Sequence, residues 1–163
     1  MFDKELQEAF NLQVNNEMNS AYLYLSMSAY CESVNLPGTA HWLRLQYQEE
    51  MEHGLKFFDF ITDRGSHVVL RAIPQPPTEF KSALDVFERT LAHEQKVTAA
   101  INQLYELALQ KKDYPSQVFL QWFITEQVEE EKDAALIVEN LKVISDRPHS
   151  ILFMDKQLGK RGK

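Results

Sequence analysis

A single cysteine, Cys31, stands in the whole 163-residue chain, which excludes an internal disulfide and any two-cysteine metal or redox motif. Glycine and proline are scarce, with 5 and 6 residues, and Pro74, Pro76 and Pro77 crowd into one stretch. Long helices can therefore run unbroken on both sides of that stretch. No apolar run reaches the roughly 18 residues a membrane helix needs. The opening Met1-Phe2-Asp3-Lys4-Glu5-Leu6-Gln7-Glu8 is charged where a secretory leader would be apolar. The expectation is a soluble, cytoplasmic protein with no membrane partner. Positive charge is also in deficit: 17 Lys and Arg against 24 Asp and Glu leave a net charge of −7. That balance argues against nucleic acid as a partner and gathers cations at the surface.

What is present is helical periodicity. With 44% hydrophobic residues, the chain suffices for one core and one domain, residues 1–163. Leu6, Phe10, Val14, Ala21, Tyr24 and Cys31 recur on one stripe of a first helix, residues 4–32. Leu36-Pro37-Gly38-Thr39 breaks the pattern, and Trp42, Gln46, His53, Phe57 and Phe60 mark a second helix, residues 39–64. Ser82 with Asp85 resembles a capping box opening a third helix, residues 82–111. Asp113-Tyr114-Pro115-Ser116 starts a fourth, residues 115–144, which Ser145-Asp146-Arg147-Pro148 stops. A short fifth helix, residues 149–158, ends at Gly159, and residues 159–163 read as a mobile tail.

The proline-rich connection, about residues 65–80, is too extended to be helical. Some 14 extended residues at about 3.3 Å each span roughly 45 Å, the length of a helix of about 28 residues. Helices two and three can therefore be parallel, joined by one long crossover. The predicted fold is all-α: a four-helix bundle of the ferritin-like arrangement, with a short C-terminal helix.

Carboxylates lie where that core should be. Glu50 and His53 sit one helical turn apart on the stripe between Trp42 and Phe57. Glu17 lies on the stripe of Phe10 and Tyr24, Glu94 on that of Leu91 and Ile101, and Glu126, Gln127, Glu129 and Glu130 follow Trp122 and Phe123. Gln127 follows Glu94 by the same 33 residues that separate Glu50 from Glu17, and Glu130 follows Gln127 as His53 follows Glu50. The two halves read as one repeated unit, whose ligands meet near the bundle axis as two adjacent metal positions. Hard carboxylate oxygens with one imidazole suit iron or manganese better than a structural zinc site. Any one of these glutamates alone is most simply a solvated helix face. Five at matched core positions are not.

At this point the chain closely resembles the bacterial non-haem ferritins along nearly its full length. The matching words are Glu17 with Tyr24, Glu49-Glu50-Met51-Glu52-His53, His93-Glu94-Gln95, and Gln121-Trp122 followed by Glu126-Gln127-Val128-Glu129-Glu130-Glu131. The resemblance implies that Glu17, Glu50 and His53 hold a first iron and Glu94 and Glu130 a second, with Glu50 bridging and Gln127 close by. It implies a third iron position at Glu49, Glu126, Glu129 and the shared Glu130, and it places Tyr24 and Trp122 near the redox centre. It further implies a hollow shell of twenty-four copies that oxidises Fe(II) with oxygen or hydrogen peroxide and stores ferric mineral.

Simpler or rival readings stand beside these. Tyr24 can be a hydrogen-bonded core aromatic and Trp122 a packing residue. His41, His67, His93 and His149 have no ligand at helical spacing and read as surface or capping residues. Met51 follows the matching glutamate as a haem-ligating methionine does in the bacterioferritins. Those carry a second complete Glu-x-x-His, here replaced by Gln127 and Glu130, so no haem is expected. The competing functions are a di-iron oxygenase or peroxidase without mineral storage, and a metal-free helical interaction protein.

Overall fold

The computed structural model describes residues 2–144 and 147–162. Among these the regular elements are five helices and no strand: α1 (Lys4–Ser33), α2 (Pro37–Asp63), α3 (Ala83–Gln110), α4 (Tyr114–Ile144) and α5 (Pro148–Leu158). Asp3 caps α1, its carboxylate accepting from the amides of Glu5 (3.0 Å) and Leu6 (3.2 Å). Ser82 caps α3 by accepting from the Asp85 amide at 3.1 Å, while the Asp85 carboxylate reaches the amide of Lys81 at 2.9 Å. The box expected from sequence thus closes one residue further back.

Three helices end the same way. Asn35, Gly65 and Lys112 take positive φ (59°, 69° and 54°). In each case the next amide reaches back to the last turn: Leu36 to the Cys31 carbonyl (2.9 Å), Ser66 to Ile61 (3.1 Å) and Asp113 to Ala108 (3.0 Å). The tight breaks after α1 and α3 make α1/α2 and α3/α4 antiparallel neighbours. The Leu36–Thr39 break is narrower than its composition suggests. Pro37 opens α2 at its first position, where a missing N–H costs nothing. The expected stop of α4 at Ser145 and Asp146 lies outside the described residues.

The connection between α2 and α3 runs the length of the bundle beside α1. Near its start the His67 carbonyl accepts from Gln7 (3.3 Å) and Asn11 (3.4 Å), and the Val69 amide donates to Asn11 at 2.7 Å. Further on, Ser26 donates to the Pro77 carbonyl at 2.6 Å, and Phe80 packs on Tyr30 with ring centroids 5.3 Å apart. The chain therefore returns to the α1 C-terminal end before α3 begins. Helices α2 and α3 run parallel, as one long crossover requires.

Two apolar clusters fill the bundle, one towards each end. Phe2, Phe10, Phe57 and Phe123 belong to the lower cluster, and Trp42, Leu43, Phe87 and Val138 to the upper. The lower end is tied by ion pairs. Arg64 at the close of α2 grips Asp113 with both terminal nitrogens (2.8 and 2.9 Å), and Lys111 reaches Glu5 (2.6 Å) and Asp3 (3.4 Å).

Helix α2 has no side-chain cap of its own. Buried Asp155 of α5 supplies one, accepting from the Gly38 amide (3.0 Å), the Thr39 amide (2.7 Å) and the Thr39 hydroxyl (2.7 Å). A Cβ on Gly38 would stand 1.9 Å from the Asp155 carbonyl oxygen, so the approach requires glycine. The described part of the tail beyond α5, expected from sequence to be mobile, meets α2 through one residue. The Arg161 guanidinium lies 4.4 Å from the Trp42 ring and bonds Gln46 and Glu49, and its carbonyl meets His41 Nε2 at 3.0 Å. Lys163 lies outside the described residues.

Asp155→Ala strands two amides and a hydroxyl and should cost about 1–3 kcal/mol in urea denaturation. Asp155→Asn, which keeps one acceptor oxygen, should lose less.

Candidate metal centre

Between the two apolar clusters lies a polar layer. It comprises Glu17 from α1, Gln46, Glu50 and His53 from α2, Glu94 from α3, and Gln127 and Glu130 from α4, each no more than 8% exposed. The repeated spacing resolves which of the α4 acids face inward: Gln127 and Glu130 are buried, Glu126 is half-buried and Glu129 is exposed. All six residues of the doubled unit, Glu17, Glu50, His53, Glu94, Gln127 and Glu130, turn to the axis.

Ligand atoms of Glu17, Glu50 and His53 all lie within 4.8 Å of one another, the one such group among the described residues. The Glu17 carboxylate is half-satisfied. Gln13 donates to Glu17 Oε1 at 2.7 Å, whereas Glu17 Oε2 and Glu50 Oε2 are buried with no hydrogen-bond partner. His53 Nδ1 is 3.8 Å from Glu50 Oε2, too far for a hydrogen bond. Two buried oxygens aimed into one space beside an imidazole are what a cation needs and what a folded chain otherwise avoids.

The other half is held more closely by protein. Tyr24, fully buried, donates its hydroxyl to Glu94 Oε1. Gln127 Nε2 donates to Glu94 Oε2 (3.1 Å) and its carbonyl (3.3 Å), and Gln46 Nε2 donates to Glu130 Oε2 at 2.7 Å. The two halves are therefore unequal: one open, one braced.

Burial dominates the electrostatics. It raises the Glu17 and Glu50 carboxyls well above their ordinary range, with Glu50 adding to the effect on Glu17 and Glu94 to that on Glu50. Burial likewise raises Glu94, and it pushes Glu130 up to about 7, helped by Glu94. The Tyr24 phenol is raised by burial and then by Glu94, which keeps it a donor.

Around this layer, Trp122 stands edge-on to His53 at 5.4 Å, with Lys56 Nζ 4.1 Å from its ring centroid. His93 is not a plain surface residue: it is half-buried, its Nε2 lies 2.7 Å from Ser20 Oγ, and its ring meets Tyr24 at 5.8 Å. Burial lowers its pKa to about 4. Glu49, with a side chain 41% exposed, is engaged by Arg161 at 2.5 Å. Glu49, Glu126 and Glu129 are not gathered as closely as the Glu17 group. Sequence reasoning did not single out Gln13, Gln46 or Arg161 as site residues. Gln13 and Gln46 stand four residues before Glu17 and Glu50 on the same faces, a legible signal; nothing marked Arg161.

The fold and this layer define a class: a helical-bundle protein with a carboxylate-rich layer at its centre that could hold a metal ion. The model of the ferritin-like domain matches residues 7–144. The chain is 42% identical over 161 residues to the bacterial non-heme ferritin of Staphylococcus haemolyticus, covering 99% of this chain and 97% of that one. It is 40% identical to that of Staphylococcus aureus strain USA300 over equal shares. Among solved structures, an open pore ferritin from the hyperthermophilic archaeon Archaeoglobus fulgidus superposes with a TM-score of 0.98 at 46% identity, covering 99% of each chain. This chain belongs to the ferritin-like family, and its near full-length relatives are bacterial non-heme ferritins.

The raised carboxyls bind protons more tightly in the fold than in the unfolded chain, where about 4.5 is ordinary. For Glu130 the stabilising effect is complete below that value and is lost as pH rises through about 7. The denaturation midpoint of metal-free Glu130→Gln should therefore fall less than that of the wild type between about pH 5 and pH 8. Glu50→Gln should raise the stability of the metal-free protein at neutral pH by about 1–3 kcal/mol while weakening metal binding, as calorimetry on the same preparations would show.

Proposed function

We propose that this chain stores iron and is a ferroxidase. Fe(II), its substrate, enters the buried layer two ions at a time and gives up one electron per ion to oxygen or hydrogen peroxide. The ferric product passes to the interior of a hollow, cytoplasmic shell of twenty-four copies. The observation that carries this reading is the pair of buried, unpartnered oxygens on Glu17 and Glu50 beside His53. The four buried carboxylates, Glu17, Glu50, Glu94 and Glu130, balance two divalent ions in charge, which supports a two-ion site. The names of the relatives support storage as the outcome.

Glu17, Glu50 and His53 would hold the first ion, and Glu50 with Glu94 and Glu130 the second. The second has a neutral Gln127 amide where the first has an imidazole, and its acids are already engaged by Tyr24, Gln127 and Gln46. It therefore binds more weakly, which suits an ion in transit. Glu49, Glu126 and Glu129 would receive iron leaving the layer. Tyr24 keeps its proton and orients Glu94. Gln127 and Glu130 stand where a second Glu-x-x-His would be, and haem has no role here.

An organic-substrate oxidation needs an apolar chamber at the metals. A cavity of about 750 Å³, lined by Tyr30, Leu36, Leu84, Leu141 and Ile151 among others, lies at the α5 end and includes none of the site carboxylates. No described helix is long and apolar enough to cross a membrane.

Aerobic Fe(II) added to the purified protein should yield a soluble, iron-loaded particle far larger than the 19.0 kDa chain. Glu50→Ala with His53→Ala should slow the oxidation by about 10- to 100-fold or more. A monomer that keeps at most two irons would sink the proposal.

A further inference from the structure

The C-terminal tail reaches the metal layer through one side chain. Arg161 stacks over Trp42 at 4.4 Å, donates from NH1 to Gln46 Oε1 (2.9 Å) and the Trp42 carbonyl (3.5 Å), and donates from NH2 to Glu49 Oε2 (2.5 Å). Gln46 is fully buried, and its other end donates to Glu130 Oε2 at 2.7 Å. A guanidinium can only donate and an ionised carboxylate only accepts. With Arg161 on one side, the Gln46 amide has one satisfied orientation, oxygen to the tail and nitrogen to Glu130. The same fork neutralises Glu49.

We propose that Arg161 is a positioning residue and resident cation of the metal site: it fixes the Gln46 amide towards Glu130 and occupies Glu49 until a metal ion displaces it. The inference rests on the metal-site reading above and adds a gate to it. The Arg161 side chain is 25% exposed and that of Glu49 41%. Ion pairs of that exposure are weak enough to exchange, so a divalent ion can take the carboxylate that a fully buried pair would withhold. Release of Glu49 also frees Gln46 to turn, so that departure of the tail and loosening of Glu130 are one event. The tail thereby holds Glu49 and yields it to a metal leaving the layer.

The test is anaerobic calorimetry of Zn(II), a redox-silent probe, and of Fe(II), on the assembled protein. Arg161→Gln should tighten the weakest binding step by about three- to fivefold. Arg161→Lys, which keeps the charge without the fork, should fall between it and the wild type. In a Glu49→Gln background the gain should vanish. An unchanged isotherm in Arg161→Gln, or a gain that persists without Glu49, overturns the inference and leaves the ferroxidase reading intact. A wild type that binds neither ion overturns both. A second readout needs no change at Arg161: in Trp122→Phe, which leaves Trp42 as the sole tryptophan, Zn(II) should alter Trp42 emission as the guanidinium leaves its face. Unaltered emission at saturating Zn(II) also overturns it.

Discussion

Four carboxylates withdrawn from water at the middle of a helical bundle set the terms for everything else in this molecule. Glu17, Glu50, Glu94 and Glu130 interrupt what would otherwise be one continuous core and split it into two clusters. Each charged group so placed costs several kcal/mol unless a proton or a cation compensates it. The aromatic packing below and the Trp42 and Phe87 packing above provide the apolar burial that lets the chain fold around such a layer. The instability is concentrated where a bound cation would relieve it.

The layer is unequal by construction. On the Glu17 side the chain leaves two oxygens bare, whereas on the Glu94 side a phenol and two amides have already claimed the acceptors. Neutral donors of this kind orient a carboxylate without removing its charge. One half is ready for an ion, and the other must exchange protein bonds for metal bonds. That difference makes the two halves of a sequence repeat structurally unequal, one with bare oxygens and one with its acceptors taken.

Much of this was legible in the sequence because helices write their faces with a fixed period. The stripe through Phe10 and Tyr24 exposed Glu17 as misplaced, and the 33-residue spacing linked Glu94 to Gln127 as it linked Glu17 to Glu50. The long crossover followed from proline content and chain length alone. The start of α2 was less legible, since a Leu-Pro-Gly-Thr segment reads as a break when its cap lies in Asp155, 117 residues from Gly38. Arg161 was invisible for the same reason. A terminal basic run has no periodicity, and its anchorage depends on Trp42, Gln46 and Glu49 meeting it in space. His93 was misjudged because a ligand search along one helix cannot see Ser20 on another.

The borrowed cap on α2 ties the order of synthesis to the order of folding. A chain emerging from the ribosome presents Gly38 and Thr39 long before Asp155 exists, so α2 must begin life with its first amides bonded only to water. The four long helices can pair as they emerge, but this end of the bundle closes only once α5 has followed them. A chain lacking α5 would thus carry an open end, with the first amides of α2 left to water.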